Sequence, residues 1–382
     1  MTTAAGARVA IVQHSIRRYR AAFFEALHSR LAAAGVELRL LHSDIPERLT
    51  IRPHKARLSW AEVRPGRRLE FREKSLLWQP VVRTTRNADL VIVEQASHLL
   101  ANYALLAGQP IGGPRVALWG HGRNFLLPDG RRSVPEGVKS FVSRRAHWWF
   151  AYNDRAADVV AELGYPRERI TVVDNATDTR WLASQIAEVS PQTLTATRQA
   201  LGLEGANIAV FLGTLGAVKR FEHLFEAADR IREQVPDFEL VIAGHGMEES
   251  RVVDWASRRS WAHYAGPRYG DDVVPLLALA QLVLVPGWVG LVVVDSFAAG
   301  VPLVASASAP HPPEIAYLSD GVNGRLVDDG GDPLRYAEAV IELLRDEERR
   351  QALVRGCVEA RSRYSAEAMA ERFTAGVLAA LR

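Results

Sequence analysis

Three glycine-containing loops in the second half of the chain each follow a predicted strand, and their residue types suit the binding of a phosphate group. The first spans residues 211–220 and ends in Lys219 and Arg220, the second spans 241–246 and the third spans 286–295. Glycine lets a ligand approach the backbone closely, lysine supplies a positive charge, and N–H groups that open a helix bind anions. Three such loops after successive strands predict a phosphate-bearing ligand.

The third loop indicates what else that ligand carries. A strand predicted over 282–285 enters a Pro-Gly turn, a helix is expected to open near Gly290 and stop at Gly300, and Asp295 lies one turn into it. A carboxylate in that place can accept hydrogen bonds from sugar hydroxyls. The pattern predicts a nucleotide-sugar site, and it is not a P-loop, because the Gly-x-x-x-x-Gly-Lys-Ser/Thr spacing is absent.

These loops are positioned by alternating apolar runs and amphipathic stretches. Strands are predicted over 9–12, 36–41, 90–93, 115–119, 147–151, 170–173, 208–212, 239–243, 282–285 and 303–305. Helices are predicted over 21–34, 156–163, 221–234 and 274–279, and the tail from 332 to 382 reads as helical throughout. This βαβ order predicts the α/β class, with two Rossmann-like domains facing each other across a cleft and ligands beyond the carboxyl ends of the strands. We place the first domain at 1–179, a helical linker at 180–206 and the second domain at 207–364.

Composition narrows the class of protein. A chain of 382 residues with one cysteine, Cys357, favours two domains and excludes a disulfide framework or a cysteine-based zinc cluster. No signal peptide or membrane span is predicted, so we expect a cytoplasmic protein. Residues 1–190 contain 28 Lys+Arg and 18 Asp+Glu, a net of +10, whereas residues 191–382 contain 19 and 26, a net of −7. The basic half favours an anionic partner, either a phosphorylated acceptor or the anionic inner face of a membrane. Nucleic acid is disfavoured, because no aromatic residues are interleaved with the basic ones.

Five residues of the first half are candidates for an acceptor site. His121 follows a predicted strand and lies between two glycines, so we expect a loosely held backbone and a ring that points into the cleft. Arg17, Arg18 and Arg20 follow the first strand and either hold an acidic acceptor or only solvate a helix start. Glu94 is either an acceptor-side base or a salt-bridge partner.

The second half resembles the family-4-type retaining glycosyltransferases of the GT-B fold over about residues 208–330. The matching positions, in the family's order, are Gly213, Leu215, Lys219, Gly244, Gly246, Gly290, Leu291, Asp295, Gly300, Pro302, Pro313, Glu314, Ile315, Asn323 and Gly324. The first half matches through Tyr19-Arg20, the 119–122 turn and Asn175. The resemblance implies transfer of a sugar from a nucleoside-diphosphate sugar to an acceptor hydroxyl with retention of configuration, and a last helix, 365–382, that packs back on the first domain.

The resemblance also assigns site residues. His121 and Lys219 are the catalytic candidates. The donor-binding candidates are Gly213, Thr214, Lys219, Arg220, Gly244, His245, Arg268, Gly287, Trp288, Val289, Gly290, Leu291, Asp295 and Glu314. Two positions depart from the family: Gly287 replaces its first glutamate and Thr214 replaces an arginine. We therefore expect the N–H groups of Trp288 and Val289 to hold the sugar, and Arg220 or Arg268 to supply the second positive charge.

Other functions stay open. No Asp-x-Asp or His-x-x-x-His spacing occurs, so we expect no bound metal ion and no cofactor beyond the sugar donor. We expect Lys219 and the start of the helix to stabilise the negative charge on the diphosphate as it leaves. The acceptor is a saccharide, a lipid-linked compound or a small molecule. A GT-B epimerase or phosphorylase is the alternative enzyme, and Gly287 motivates a donor-binding scaffold without catalysis. A dehydrogenase is disfavoured because the first strand lacks a Gly-x-Gly-x-x-Gly turn.

Overall fold

The computed structural model describes residues 6–43, 56–71, 74–123 and 144–382, and contacts along the chain divide it into two compact units. The first unit comprises the described residues up to Asp178 together with Ala366–Arg382. The second unit comprises Thr179–Ser365.

The first unit is built on a parallel sheet. Its strands are β1 (Arg8–Gln13), β2 (Glu37–His42), β3 (Glu62–Val63), β4 (Arg67–Phe71), β5 (Lys74–Trp78), β6 (Leu90–Glu94), β7 (Arg115–Gly120), β8 (Trp148–Ala151) and β9 (Ile170–Val172). Among the described residues, its helices before the second unit are α1 (Ala21–Ala33), α2 (Leu100–Gly108) and α3 (Asp154–Glu162). Seven strands form the sheet in the order β3-β2-β1-β6-β7-β8-β9, and β4 and β5 form a separate antiparallel hairpin.

Both faces of this sheet are buried, which explains its apolar strands. Successive side chains of a strand point to opposite faces. Val9 and Ile11 of β1 belong to the core that includes the α1 phenylalanines, whereas Ala10 and Val12 belong to the core that includes α2. Nearly continuous apolar strands are what a parallel sheet covered by helices on both faces requires.

The second unit repeats this plan. Its strands are β10 (Asn207–Thr214), β11 (Phe238–His245), β12 (Ala262–Gly266), β13 (Leu282–Leu284), β14 (Leu303–Ser306) and β15 (Gly324–Val327). Its helices are α4 (Thr179–Glu188), α5 (Pro191–Leu201), α6 (Phe221–Gln234), α7 (Glu249–Ser257), α8 (Val274–Leu279), α9 (Val292–Ala299), α10 (Pro333–Arg345) and α11 (Glu347–Arg363). The parallel sheet has the order β12-β11-β10-β13-β14-β15. The predicted α/β class with two Rossmann-like parallel sheets is confirmed.

The predicted linker and the predicted last helix belong to different units. Residues 180–206, predicted as a linker, lie in and after α4 and α5 and are part of the second unit. The last helix, α12 (Ala366–Ala380), is part of the first unit. Phe373 of α12 stacks on Phe150 of β8 with ring centroids 4.1 Å apart. A Cβ at Gly376 would lie 2.6 Å from Thr171 Oγ1, so this glycine lets the helix approach β9.

Candidate functional site

The strand order creates one switch point in each sheet. In the second unit β10 lies between β11 and β13, and in the first unit β1 lies between β2 and β6. At such a point the loops after the two neighbouring strands leave in opposite directions, so the carboxyl ends of the strands frame a crevice for ligands. The relevant loops are those after β10 and β13, and those after β1 and β6.

Lys219 ends a 3₁₀ turn, Ala217–Lys219, in the loop after β10, and it is 7% exposed. Its Nζ donates to the carbonyl O of Trp288, 2.6 Å away in the loop after β13. Burial lowers the pKa of this ammonium to about 8. In the part of the chain that the structure describes, Lys219 forms no ion pair, and a Cβ built on Gly213 would lie 3.7 Å from Nζ. A buried cation whose acceptor is a neutral carbonyl attracts an anionic group.

The loop after β13 fits tightly around this turn. A Cβ at Gly287 would overlap the carbonyl O of Val218 and lie 3.0 Å from Arg220 Cγ. Trp288 has φ 49°, a left-handed conformation that is uncommon for a residue with a side chain. Glycine at 287 is therefore required by the packing of the two loops, and this packing leaves no room for the family's glutamate.

The helix that follows begins two residues later than predicted. Its first residue is Val292, and it ends at Gly300, whose φ of 67° forms a left-handed C-cap as expected. Among the described residues, the N–H groups of Gly290, Leu291 and Val292 have no acceptor, and a Cβ at Gly290 would meet no atom within 4 Å. These N–H groups are available to a ligand, and the half-buried Asp295 lies in the first turn of the same helix.

Val289 does not have the role predicted for it. It is buried, and its N–H donates to Nδ1 of His311 over 3.1 Å. His311 Nε2 lies 2.8 Å from the carbonyl O of Ser306, so the ring carries its proton on Nε2 and accepts at Nδ1. The Val289 N–H is thus used within the protein, and the expectation that it holds the sugar is wrong for this structure.

Arg220 is fixed by a polar network that the sequence did not reveal. It has φ 59°, and its guanidinium donates to Ser306 Oγ and Ser308 Oγ, each at 3.0 Å. His223 Nδ1 lies 3.2 Å from the guanidinium, and its Nε2 lies 3.1 Å from Oδ2 of the buried Asp329. Burial and then Arg220 lower the pKa of His223, so its ring is neutral. The predicted second positive charge is therefore present in the loop, but held by protein groups.

The other donor candidates lie in several different strands and loops of the second unit. A Cβ at Gly244 would overlap the Gly213 carbonyl, so close strand packing explains this glycine. His245 Nδ1 is bonded to the Glu249 carboxylate. Arg268 is exposed after β12, an edge strand that β11 separates from β10, and its Nε donates to Ala265 O. Thr214 is exposed at the end of β10, whereas Glu314 is 5% exposed in the 3₁₀ turn Pro313–Tyr317.

In the first unit, Arg20 is not presented to a ligand. It is 5% exposed, its guanidinium lies 4.3 Å from the Trp119 ring, and its Nη2 donates to the Tyr152 hydroxyl over 2.9 Å. Although burial lowers the pKa of Arg20, its tyrosine neighbours and Glu94 outweigh burial and raise it. The side chain packs within the unit, where the sequence predicted an acceptor contact.

The loop that carries His121 is firmly held, contrary to expectation. Gln95 donates to the carbonyl O of Gly122 and accepts from its N–H, both at 2.8 Å. A Cβ at Gly122 would lie 2.9 Å from a Val160 methyl group, and the His121 ring centroid lies 4.2 Å from that of Tyr152. The glycines around His121 therefore allow close packing rather than mobility, and Gln95 is a residue that sequence reasoning missed.

The loop after β1 contributes another residue that was missed. His14 Nδ1 lies 2.5 Å from Oε2 of Glu94, the last residue of β6. Arg17 Nη2 lies 3.5 Å from His14 Nε2, and Arg18 is exposed. Glu94 is thus the salt-bridge partner of a histidine. The signal was present, because His14 and Glu94 end two apolar runs, but pairing those runs requires the sheet order.

A known protein family matches most of the second unit. Residues 195–356 match the family described as glycosyl transferases group 1. A D-inositol 3-phosphate glycosyltransferase of Corynebacterium urealyticum is 28% identical over 233 residues, covering 56% of this chain and 52% of that protein. A protein of the same name from Salinispora tropica is 29% identical over 254 residues, covering 61% of this chain and 52% of the relative. The chain spans about half the length of the curated relatives it matches.

Solved structures share the fold of the whole chain. HepE of Anabaena, in complex with UDP and glucose, superposes with a TM-score of 0.71 at 16% identity, covering 97% of this chain and 99% of that chain. Sucrose-phosphate synthase from Thermosynechococcus elongatus gives 0.68 at 15% identity, covering 96% and 97%. Separately, no helix in the described residues is both long enough and apolar enough to cross a bilayer. Residues 195–356 are thus similar to the glycosyl transferases of group 1, and the chain shares the GT-B fold of these solved structures.

Proposed function

We propose that the protein transfers a hexosyl or related sugar from a nucleoside-diphosphate sugar to an acceptor hydroxyl, with retention of configuration and without a metal ion. The second unit binds the donor and the first unit binds the acceptor. The observation that carries this proposal is the Lys219 ammonium, buried at the β10/β13 switch point and bonded there to the Trp288 carbonyl. A diphosphate would supply the missing negative charge.

The surrounding groups fit the rest of a donor. The N–H groups of Gly290, Leu291 and Val292, at the start of α9, have no acceptor among the described residues, and α9 adds the positive end of its dipole. In this proposal Asp295, in the first turn of α9, accepts hydrogen bonds from ribose hydroxyls. UDP is the first nucleotide to test, because HepE, which shares the fold, is described in complex with UDP and glucose.

In this proposal, departure of the diphosphate is the step that the second unit assists. Negative charge grows on the leaving phosphate oxygen as the bond to the sugar breaks, and Lys219 with the α9 N–H groups stabilises that charge. The acceptor hydroxyl attacks on the same face of the sugar and loses its proton to the departing phosphate. Retention, by which the new bond keeps the donor's anomeric configuration, follows from that geometry.

The acceptor we propose is a phosphorylated polyol. The relatives are named D-inositol 3-phosphate glycosyltransferases, and residues 1–190 of this chain carry a net charge of +10. An anionic acceptor suits such a surface. The cytoplasmic location and the peripheral contact with an anionic membrane stay predictions, which co-sedimentation with anionic and neutral liposomes would separate.

Titration calorimetry with UDP, GDP, dTDP and ADP, followed by donor consumption with and without D-inositol 3-phosphate, tests the function. We expect binding of one nucleoside diphosphate and acceptor-dependent consumption of its sugar donor, unchanged by a chelator. NMR of the product gives its anomeric configuration. Release of sugar phosphate with inorganic phosphate would indicate a phosphorylase, and turnover without any acceptor an epimerase.

A donor-binding scaffold is the second candidate. The specific observation is Gly287, where the Val218 carbonyl occupies the space of any side chain, so the acidic group that the family has here is lacking. Binding of a nucleoside diphosphate with no turnover for any acceptor would favour the scaffold.

A further inference from the structure

A polar network lies along the carboxyl edge of the second sheet. Its members, here called the Arg220 network, are Arg220, His223, Ser306, Ser308 and Asp329. Arg220 follows the 3₁₀ turn after β10, Ser306 is the last residue of β14, and Asp329 comes two residues after β15. A Cβ at Gly287, in the loop after β13, would lie 3.0 Å from Arg220 Cγ. The Arg220 side chain therefore reaches along the edge of the sheet at which ligands of such folds bind.

Two buried residues orient the guanidinium of Arg220. Nδ1 of His223 lies 3.2 Å from Arg220 Nη2, and because a guanidinium can only donate, Nδ1 is the acceptor and Nε2 carries the ring proton. Nε2 lies 3.1 Å from Oδ2 of Asp329, at an angle that falls short of a directed hydrogen bond. Asp329 Oδ1 accepts from Ser308 Oγ over 2.7 Å and from the Gly331 N–H over 2.9 Å. The carboxylate is thus fixed first, and it orients the imidazole that orients the arginine.

The network leaves part of the guanidinium unused. Nη1 donates to Ser306 and Ser308, and Nη2 donates to His223. Of the five guanidinium N–H groups, Nε–H and the second Nη2–H have no acceptor among the described residues, where Arg220 also forms no ion pair. Arg220 is half-buried, so these two groups are not sealed in the core. Paired N–H groups of this kind match two oxygens of a phosphate.

The backbone at Arg220 points to a binding role as well. Its φ of 59° lies in the left-handed region, which glycine adopts without strain. Strain of this kind concentrates at binding sites, where the surrounding contacts must hold it. The preceding residue, Lys219, donates to the carbonyl O of Trp288, whose φ of 49° is also left-handed. Two adjacent cations of one turn therefore contact the loop after β13.

We propose that Arg220 binds a phosphate group of the donor through Nε–H and Nη2–H, beside Lys219, and that His223 and Asp329 are positioning residues for this contact. The inference rests on the proposed function and gives the diphosphate site a second cation with a fixed direction. A guanidinium that is oriented before the ligand arrives loses little rotamer entropy on binding, so its orientation adds affinity.

Titration calorimetry tests this with the nucleoside diphosphate that the parent protein binds best among UDP, GDP, dTDP and ADP. Arg220→Met should weaken binding by about tenfold, the loss of hydrogen bonds to a charged group. His223→Leu removes the acceptor of Arg220 and should weaken binding by about fivefold. His223→Asn should restore most of the affinity, because its Oδ1 can take the place of Nδ1. Asp329→Asn should also weaken binding, because its amide N–H would oppose the Nε2–H of His223.

The matched control is His263→Leu. Nε2 of His263 lies 3.2 Å from Oε2 of Glu239, and this second buried histidine–carboxylate pair is at the amino ends of β11 and β12. We expect His263→Leu to lower the melting temperature about as much as His223→Leu does, while its nucleotide affinity matches that of the parent protein.

An unchanged affinity in Arg220→Met overturns the inference. Equal affinities of His223→Leu and His223→Asn, or an equal loss in His263→Leu, overturn it as well, because stability rather than orientation would then set the affinity. If Arg220→Met weakens binding of the glucuronate form of the donor but not of the nucleotide alone, the arginine binds a sugar carboxylate and the assignment to phosphate is wrong. A parent protein that binds no nucleoside diphosphate would instead refute the proposed function.

Discussion

In the second unit the loops after β10 and β13 meet through a bond from Lys219 Nζ to the Trp288 carbonyl, whereas in the first unit the loops after β1 and β6 meet through His14 and Glu94. Lys219 is 7% exposed and has a neutral acceptor. The side chains of His14 and Glu94 are 29% and 20% exposed and balance each other. The same topology thus builds one switch point around a buried cation with a neutral acceptor and another around a histidine–carboxylate pair.

That difference assigns the two switch points to different ligands. A buried ammonium gains most from a ligand that carries full negative charge, such as a diphosphate. The paired histidine and carboxylate of the first unit already face each other, so this site attracts an anion less strongly than the buried ammonium does. Each prediction below changes one side of this comparison.

The tight contact between the loops after β10 and β13 gives the largest effect. Gly287→Ala should lower the free energy of unfolding by about 3 kcal/mol, because its Cβ overlaps the Val218 carbonyl. Gly290→Ala, three residues on, is the matched control, since its Cβ meets no atom within 4 Å. Urea denaturation measures both. Equal stabilities of the two variants would show that the loops do not approach each other as described.

Removal of the buried ammonium should weaken nucleotide binding while it raises the stability of the ligand-free protein. Lys219→Met should weaken binding of the nucleoside diphosphate about 100-fold, as expected for losing a desolvated charge pair. The same variant should be more stable without ligand, because the lowered pKa shows that burial opposes the charge. Calorimetry and thermal melting measure the two quantities.

The control for Lys219→Met is Arg268→Ala, which removes an exposed cation bonded to Ala265 O. We expect its nucleotide affinity to change by less than about threefold. If Arg268→Ala weakens binding as much as Lys219→Met does, general charge rather than the buried site binds the diphosphate.

Arg20 tests whether the first unit contains a second buried cation site. Arg20→Met should destabilise the protein by about 2 kcal/mol, because it removes the bond to Tyr152 and the stacking on Trp119. The KM for the acceptor should stay unchanged. A raised KM with unchanged stability would return Arg20 to the acceptor site that the sequence predicted.

The pH dependence of nucleotide binding gives the smallest effect. Lys219 is charged below its pKa of about 8 and neutral above it, so affinity should fall by about 20-fold between pH 7.5 and 9.5. Over the same range the ligand-free protein should become more stable, because the unfolded chain holds this proton up to about pH 10.5. Both trends should vanish in Lys219→Met. A flat binding profile for the parent protein would exclude Lys219 from the anion site.

The sequence by itself determined the α/β class and most elements, because apolar strands and amphipathic helices carry strong periodic signals. Helices over 221–234 and 274–279 have the predicted bounds. Strands β12 and β15 were missed, since their sequences, Ala-His-Tyr-Ala-Gly and Gly-Arg-Leu-Val, are short and mixed in polarity. Such strands form because neighbouring strands in the sheet supply their hydrogen bonds.

Only the tertiary structure decided which strand-end residues face one another. The motif residues were found because they lie close together in the chain, but the strand order that sets His14 beside Glu94 does not follow from local sequence. The same holds for the partners of Arg220. His223 lies one helical turn away in the sequence, whereas Ser306 and Ser308 come close to Arg220 only in the folded chain. Glycines at 244 and 287 looked like ligand contacts, and only the folded chain shows which backbone atoms require them to lack a side chain.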